Sequence, residues 1–318
     1  MFRIACSSLF AALIALSTAL GAAGYPEKPI RLVIPFAPGG GTDVLARALS
    51  EKLTEALGVS IIIDNRPGAA GTLGTALVAR AAPDGYTFLF TSASFAFNPS
   101  LYKDLPYDPV RDIKPVTNFA LVPNLLVVHP SMPVKTVKEF LALARKRPGE
   151  IHYSSGGVGS NIHLTTALFT YMAKINLTHV PYKGGGPGQI ALISGEVQVM
   201  LPGLQPALPF VKSGQMRALA VTTKQRSMAV PDVPTIDEAG VPGYEKAGWF
   251  ALFAPAAVPE SHITRVHEAA VKVLKNPDIM KMLAREGAVT VGNSPAEFGK
   301  FVRTEMAEWA KLIKEMKL

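Results

Sequence analysis

The stretch PIRLVIPFAPGGGTDVLAR, residues 29–47, sets the terms for the rest of the chain. Ile30 to Phe36 is an apolar, β-like run that breaks into Pro38-Gly39-Gly40-Gly41. Val44, Leu45, Ala48, Leu49, Leu53 and Leu57 then recur at helical spacing until Gly58 offers a stop. The unit strand, glycine turn, helix repeats downstream. A strand is expected over Val59 to Ile63, a turn at Asn65 to Gly68, a helix over Thr72 to Ala81 and a strand over Thr87 to Thr91. Alternation of this kind is the mark of an α/β fold with parallel strands.

The middle of the chain keeps the same grammar. Thr136 and Glu139 form a capping box that opens a helix ended by Pro148-Gly149. Strands are expected over 151–154, 177–180, 197–201 and 217–222. A final helix starts at Ser294-Pro295 and lines up Phe298, Phe301, Val302, Met306, Trp309 and Ile313 on one face as core packing. Two apolar extended runs with prolines, Leu121 to Pro130 and Trp249 to Pro259, resemble each other. They are read as the places where the chain leaves one lobe and returns to it. The expected organisation is a discontinuous first lobe (25–122 and 248–318) with an inserted second lobe (123–247), preceded by a leader (1–24).

That leader has a positive start at Arg3, an apolar run from Ile4 to Leu20 and the small residues Gly21-Ala22-Ala23-Gly24. It reads as a cleaved export signal rather than a membrane anchor, because the run is short and interrupted by serine. Cys6, the only cysteine, falls within it. The mature chain is therefore expected to have no disulfide, no thiol chemistry and no cysteine-ligated metal. The 318 residues have 48 % hydrophobic and 18 % charged content and a formal net charge of +8, to which Arg3 contributes one. The basic residues are dispersed among acids, with no basic run and no aromatic interleaving. Nucleic acid is not an expected partner.

Three strand-to-helix turns are unusually rich in glycine: residues 35–43, 153–161 and 181–188. Without Cβ atoms their N–H groups can crowd around a ligand. The helix that follows adds unpaired N–H groups and the positive end of its dipole. Three such turns divided between two lobes point to a shared anion site. The candidate ligand-binding residues are Phe36, Pro38, Gly39, Gly40, Gly41, Thr42 and Asp43 on the first turn. Ser92 and Asn98 join them from a turn after a first-lobe strand. Ser154, Ser155, Gly159, Ser160 and Asn161, with Tyr182, Lys183 and Gly184, come from the second lobe. Thr42 and Asp43 also suit a helix start for structural reasons alone, and Asp43 would repel a carboxylate unless a water intervened. Lys183 is either an ion partner or a solvated loop lysine. Trp249 belongs either at the hinge or in the core.

A dinucleotide turn fails on detail, because the sixth position of G-x-G-x-x-G is Val44 counted from Gly39 and Ile162 counted from Gly157. There is no G-x-x-x-x-G-K-[ST], no G-x-S-x-G and no H-E-x-x-H. Ser100-Leu101-Tyr102-Lys103 fits S-x-x-K without its companion motifs and is taken as a loop. The six histidines show no metal-ligand spacing. No catalytic residue, metal or cofactor is expected.

The stretches PIRLVIPFAPGGGTDVLAR (29–47), NRPGAAG (65–71), APDGYT (82–87), NPSLYKDLPYDP (98–109), VPYKGGGP (180–187), MRALAVTT (216–223), PDVPTIDEAGVPGYE (231–245) and WFALFAPAAVP (249–259) are similar to the Bug family. These are the substrate-binding receptors of tripartite tricarboxylate transporters. The resemblance implies a type II, Venus-flytrap periplasmic binding protein, monomeric, with a small carboxylate between its lobes. It implies a first-lobe turn, Gly39 to Asp43, that holds the carboxylate partly through water, and a permease of a secondary transporter as partner. A ligand-sensing module for a membrane sensor kinase, or a periplasmic enzyme, are the alternatives. Many family members carry an acid after the strand matching Val197 to Met200, where this chain has Leu201-Pro202-Gly203. The expectation is a carboxylate without an amine.

Overall fold

Alternate residues of β1 (Ile30–Ile34) divide between two faces of a sheet, as the strand period of two requires. Ile30, Leu32 and Ile34 join one buried cluster with Leu45, Leu49 and Leu53 of α1 (Gly41–Leu57), while Val33 joins another on the opposite side. The computed structural model describes residues 24–318 apart from Glu286 and Lys317. The leader expected over 1–24 therefore lies outside the described residues save for its last position.

The first sheet contains β1, β2 (Ile61–Asn65), β3 (Thr87–Ser92), β4 (Ile113–Pro123), β10 (Ala247–Pro255) and β11 (Val289–Thr290), in the order β11-β4-β10-β3-β1-β2. β1 runs parallel to β2 and β3, and β10 is antiparallel to β3 and β4. The second sheet has the order β7-β6-β8-β5-β9. Its strands are β5 (Leu125–Val128), β6 (His152–Ser155), β7 (Thr178–Pro181), β8 (Val199–Met200) and β9 (Arg217–Val221). Helices α2 (Thr72–Ala79) and α3 (Ser94–Leu101) belong to the first segment. α4 (Val137–Lys146), α5 (Asn161–Ala173), α6 (Gly185–Ile193) and α7 (Leu204–Lys212) follow the strands of the second sheet. α8 (Glu260–Leu274), α9 (Pro277–Arg285) and α10 (Pro295–Met316) come after the chain returns. The molecule is thus two mixed α/β lobes. No described helix is long and apolar enough to cross a membrane.

Local chemistry sets the boundaries. β1 stops two residues short of the expected Phe36, because Pro35 has no N–H to extend the ladder. The Thr136 hydroxyl accepts from the Glu139 N–H at 3.2 Å, the cap on which the α4 expectation rested. The larger departure is α3, where a turn was expected and Pro99 sits inside a helix. Two contacts outweigh the hydrogen bond that Pro99 removes. Phe95 packs on Phe253 at 4.4 Å between ring centres, and Phe97 on Trp309 at 4.5 Å. This aromatic anchoring also puts Ser100 and Leu101 in a helix rather than a loop.

The chain passes from sheet to sheet through Asn124, between β4 and β5, and comes back in the segment between β9 and β10. Asn124 has partners for every polar group. Its N–H donates to Thr222 Oγ1 at 2.8 Å and its carbonyl accepts from the Thr222 N–H at 3.0 Å. Its Nδ2 donates to the Leu201 carbonyl at 2.6 Å, and its Oδ1 accepts from Asn161 Nδ2 at 3.2 Å. The Lys246 N–H donates to the Thr222 carbonyl at 2.9 Å, so the outgoing and returning chains are stitched together at the crossing. Trp249 lies just beyond, 1 % exposed and edge-on to Phe298 at 5.9 Å. The two positions considered for it turn out to be one place, since the root of β10 is both beside the crossing and in the core.

Candidate functional site

Four helices begin at the cavity between the two lobes. The start of α1 contributes Gly40, Gly41 and Thr42, and the start of α5 contributes Ser160, Asn161 and Ile162. α6 contributes Gly185, and α7 contributes the Gly203 that precedes it. Three of these starts, at Gly40, Gly184 and Gly203, have no side chain capping them. Their first N–H groups are left for whatever occupies the cavity. The fourth is capped by Ser160, whose hydroxyl accepts from the His163 N–H at 3.2 Å.

The remaining walls are Phe36, Val122, Trp249 and Phe250, with Ser92, Asn124, Gly156 and Gly248 between them. The cavity is narrow, with a volume of about 60 Å3. No Lys, Arg, His, Asp or Glu is on the lining. An anion here would be held by neutral dipoles. Each helix start contributes up to about 2 kcal/mol in a partly buried setting, and convergence of several offsets the desolvation of the charge.

Seven of the sequence-derived candidates line this cavity: Phe36, Gly40, Gly41, Thr42, Ser92, Ser160 and Asn161. The others are placed elsewhere, each for a visible reason. The Asp43 carboxylate is buried and accepts from the Gly39 N–H at 3.0 Å, from Arg47 Nε and from Asn65 Nδ2 at 3.0 Å. Burial would raise this carboxyl, but the bonds from Arg47, Gly39 and Asn65 outweigh it and hold it below its ordinary value. Asp43 therefore braces the first turn instead of facing the cavity, and Gly39 has its N–H committed to that brace. Ser154 donates its hydroxyl to the Gly188 carbonyl at 2.9 Å. Ser155 Oγ lies 2.6 Å from His179 Nε2 and accepts from the Gly157 N–H at 3.0 Å. Gly159 donates its N–H to His163 Nδ1 at 3.1 Å.

The two imidazoles, His163 and His179, stack at 4.2 Å beneath the second-lobe turn. Burial, with His179 close by, pushes His163 down to about 4, and burial does the same to His179. Both are neutral at ordinary pH, which is what acceptance of the Gly159 N–H requires. Asn98, expected in a turn, lies in α3 and donates to the Ala70 carbonyl at 3.3 Å. Pro38 and Gly184 make the seam between lobes. A Cβ on Gly186 would come within 3.0 Å of the Pro38 carbonyl, and one on Gly184 within 3.1 Å of the Ala37 Cβ. Tyr182 and Lys183 face an adjoining cavity.

Sequence reasoning missed Val122, Asn124 and Phe250, which come from strand ends far apart in the chain. It also missed Gly203, although the Gly203-Leu204 step before Gln205-Pro206 is a helix-start signal.

The tripartite tricarboxylate transporter family receptor model matches residues 45–318. The chain belongs to that receptor family. BugT of Bordetella pertussis is a 33 % identical relative, over 98 % of this chain and 96 % of its own. Among solved structures, the receptor is similar to Rpa4515 of R. palustris, solved with adipate. The two share 38 % identity at a TM-score of 0.90, covering 92 % of this chain and 99 % of that one. MatC of Rhodopseudomonas palustris, solved with bound malate, is 31 % identical at a TM-score of 0.86, covering 91 % of this receptor and all of that chain. The type II periplasmic binding protein fold expected from the sequence is the fold of these neighbours.

Proposed function

We propose that this receptor captures a small carboxylate lacking an amine in the periplasm and delivers it, as a monomer, to the permease subunits of a secondary transporter. The observation that carries the reading is the convergence of four helix starts on a cavity without a charged side chain. A carboxylate matches those N–H groups in charge and hydrogen bonding. A ligand ammonium would find no carboxylate on the lining, since the position after β8 is Leu201-Pro202-Gly203. The ligands of the two R. palustris neighbours, adipate and malate, are amine-free carboxylates and support the same class. The proposed contact set is Gly40, Gly41, Thr42, Ser92, Ser160 and Asn161, with Phe36, Trp249 and Phe250 as apolar walls. Export by removal of residues 1–24 is part of the proposal, and so is the absence of catalysis.

A thermal-shift screen of the mature receptor against carboxylates, amino acids, amines and sugars tests the reading. A ligand specific for the folded state adds about 2.7 kcal/mol at a hundredfold excess over its Kd. Amine-free acids are expected to raise Tm, and their 2-amino analogues to do so less. Stabilisation by neutral sugars alone, or tighter calorimetric binding of the amino analogues, would overturn it.

A further inference from the structure

The lobes meet along two lines of different character. On the first, main chain abuts main chain. A Cβ on Gly184 would lie 3.1 Å from the Ala37 Cβ, and one on Gly40 would lie 3.6 Å from the Gly185 nitrogen. On the second, the Tyr102 hydroxyl donates to the Val158 carbonyl at 2.9 Å. Away from the crossing around Asn124 and Lys246, this is the one hydrogen bond that joins the lobes among the described residues. We propose that Tyr102 is the latch of the closed receptor, a positioning residue whose hydroxyl bonds the second lobe only when the lobes meet. It would set how long a bound acid stays rather than which acid binds. The inference rests on the receptor reading above.

Each end of the latch is prepared by its own lobe. Tyr102 closes α3, where its N–H donates to the Asn98 carbonyl at 3.0 Å. That helix is anchored through Phe95 and Phe97, so the phenol stands on a fixed base. Burial pushes Tyr102 above the ordinary phenol value, which keeps the hydroxyl protonated and able to donate. Val158 is at the tip of the second-lobe turn, and the bonds that shape this turn pass its carbonyl by. The Gly157 N–H donates to Ser155 Oγ at 3.0 Å, the Ser160 N–H to the Gly157 carbonyl at 3.1 Å, and the Gly159 N–H to His163 Nδ1. Among the described residues the Val158 carbonyl accepts from Tyr102 alone.

Gly159 makes the approach possible. Its φ is 80°, and a Cβ there would come within 3.0 Å of Leu101 Cδ1 and 3.3 Å of Tyr102 Cε2. Tyr102 is not on the lining of the ligand cavity; its ring stands on the adjoining one, as Val158 does. A group that touches the opposite lobe and not the ligand shifts the balance of closed and open forms by one factor, whatever is bound. A neutral hydrogen bond is worth about fivefold in that balance.

Stopped-flow binding of malate and of adipate to Tyr102→Phe, which loses the hydroxyl and keeps the ring, tests the assignment. The dissociation rate is expected to rise about fivefold for both acids, with association rates within about twofold of the parent. A second measurement needs no ligand. The only cysteine, Cys6, lies in the leader. Dyes on Glu51→Cys in α1 and Lys146→Cys in α4, both exposed, can therefore report lobe separation by single-molecule energy transfer. Tyr102→Phe is expected to lower the closed-to-open ratio of the ligand-free receptor about fivefold. An unchanged dissociation rate overturns the latch, and so does an unchanged closed-to-open ratio. A loss confined to one of the two acids overturns it as well, because the hydroxyl would then be a ligand contact. Failure of the underlying carboxylate reading looks different: no acid binds the parent, yet the ligand-free shift is still seen.

Discussion

The two glycine-rich turns that face each other across the cleft do similar work with opposite chemistry beneath them. The first-lobe turn is braced by an ionised carboxylate, Asp43, shared among Arg47, Asn65 and the Gly39 N–H. The second-lobe turn rests on two neutral imidazoles, His163 and His179, tied to Gly159 and Ser155. Both devices leave the ligand side of the turn free of charge. They differ in the conditions under which they fail, and in how much each loses when one group is removed.

The largest effect is expected at the first turn. Asp43→Ala removes the acceptor shared by three donors, leaving the Gly39 N–H and one Asn65 amide hydrogen without a partner while the half-exposed Arg47 turns to water, for a loss of about 2 kcal/mol. Chemical denaturation and calorimetry of the same variant should show lower stability together with at least about hundredfold weaker acid binding. Full affinity in Asp43→Ala would mean that the turn keeps its shape without the brace.

Acid should separate the two turns. Both histidines have folded-state values near 4, below the 6.5 of a free imidazole, so the unfolded chain binds more protons between those limits. Their contribution is complete above pH 6.5 and drains away as pH falls through that window. By pH 5 the loss is on the order of 2 kcal/mol for the first imidazole to charge. Asp43 behaves differently. Its value is lowered, so its contribution is present above the ordinary carboxylate range and lost only below it. Stability measured between pH 7 and 5 should fall in the parent and fall less in His163→Gln. Parallel profiles would remove the histidines from the explanation.

The smallest expected effect concerns the seam. Gly186 has an ordinary φ, but its added Cβ would sit 3.0 Å from the Pro38 carbonyl of the other lobe. Gly186→Ala should therefore leave the Tm of the ligand-free protein nearly unchanged and weaken acid binding by about tenfold, roughly 1.4 kcal/mol, through closure alone. An equal drop in ligand-free Tm would place the damage within the second lobe instead.

Much of this architecture was legible before any coordinates. Strand, glycine turn and helix follow one another as local pattern, and Thr136 with Glu139 announced α4 at short range. α3 was not legible, because Pro99 argues against a helix locally while Phe95 and Phe97 find their rings on Phe253 and Trp309 far along the chain. The same limit governs the site. Phe36, Gly40 and Ser160 belong to turns that identify themselves, whereas Val122, Asn124 and Phe250 reach the cavity only through β4 and β10. Asp43 looked like a ligand contact because its partner Asn65 lies at the end of β2, a helix-to-strand pairing that spacing cannot disclose.

The uncapped helix starts at Gly40, Gly184 and Gly203 have a bearing on how such a receptor changes over generations. A main-chain N–H is the same group in every residue but proline, so a point mutation removes it only by placing a proline there or by spoiling the turn. Wall side chains such as Phe36 and Ser92 are replaced outright by a single substitution. On the carboxylate reading proposed above, drift at those positions would change which molecule fits while the grip on its charged end passes down unaltered, so descendants of one gene could take new ligands without first relearning how to hold an acid.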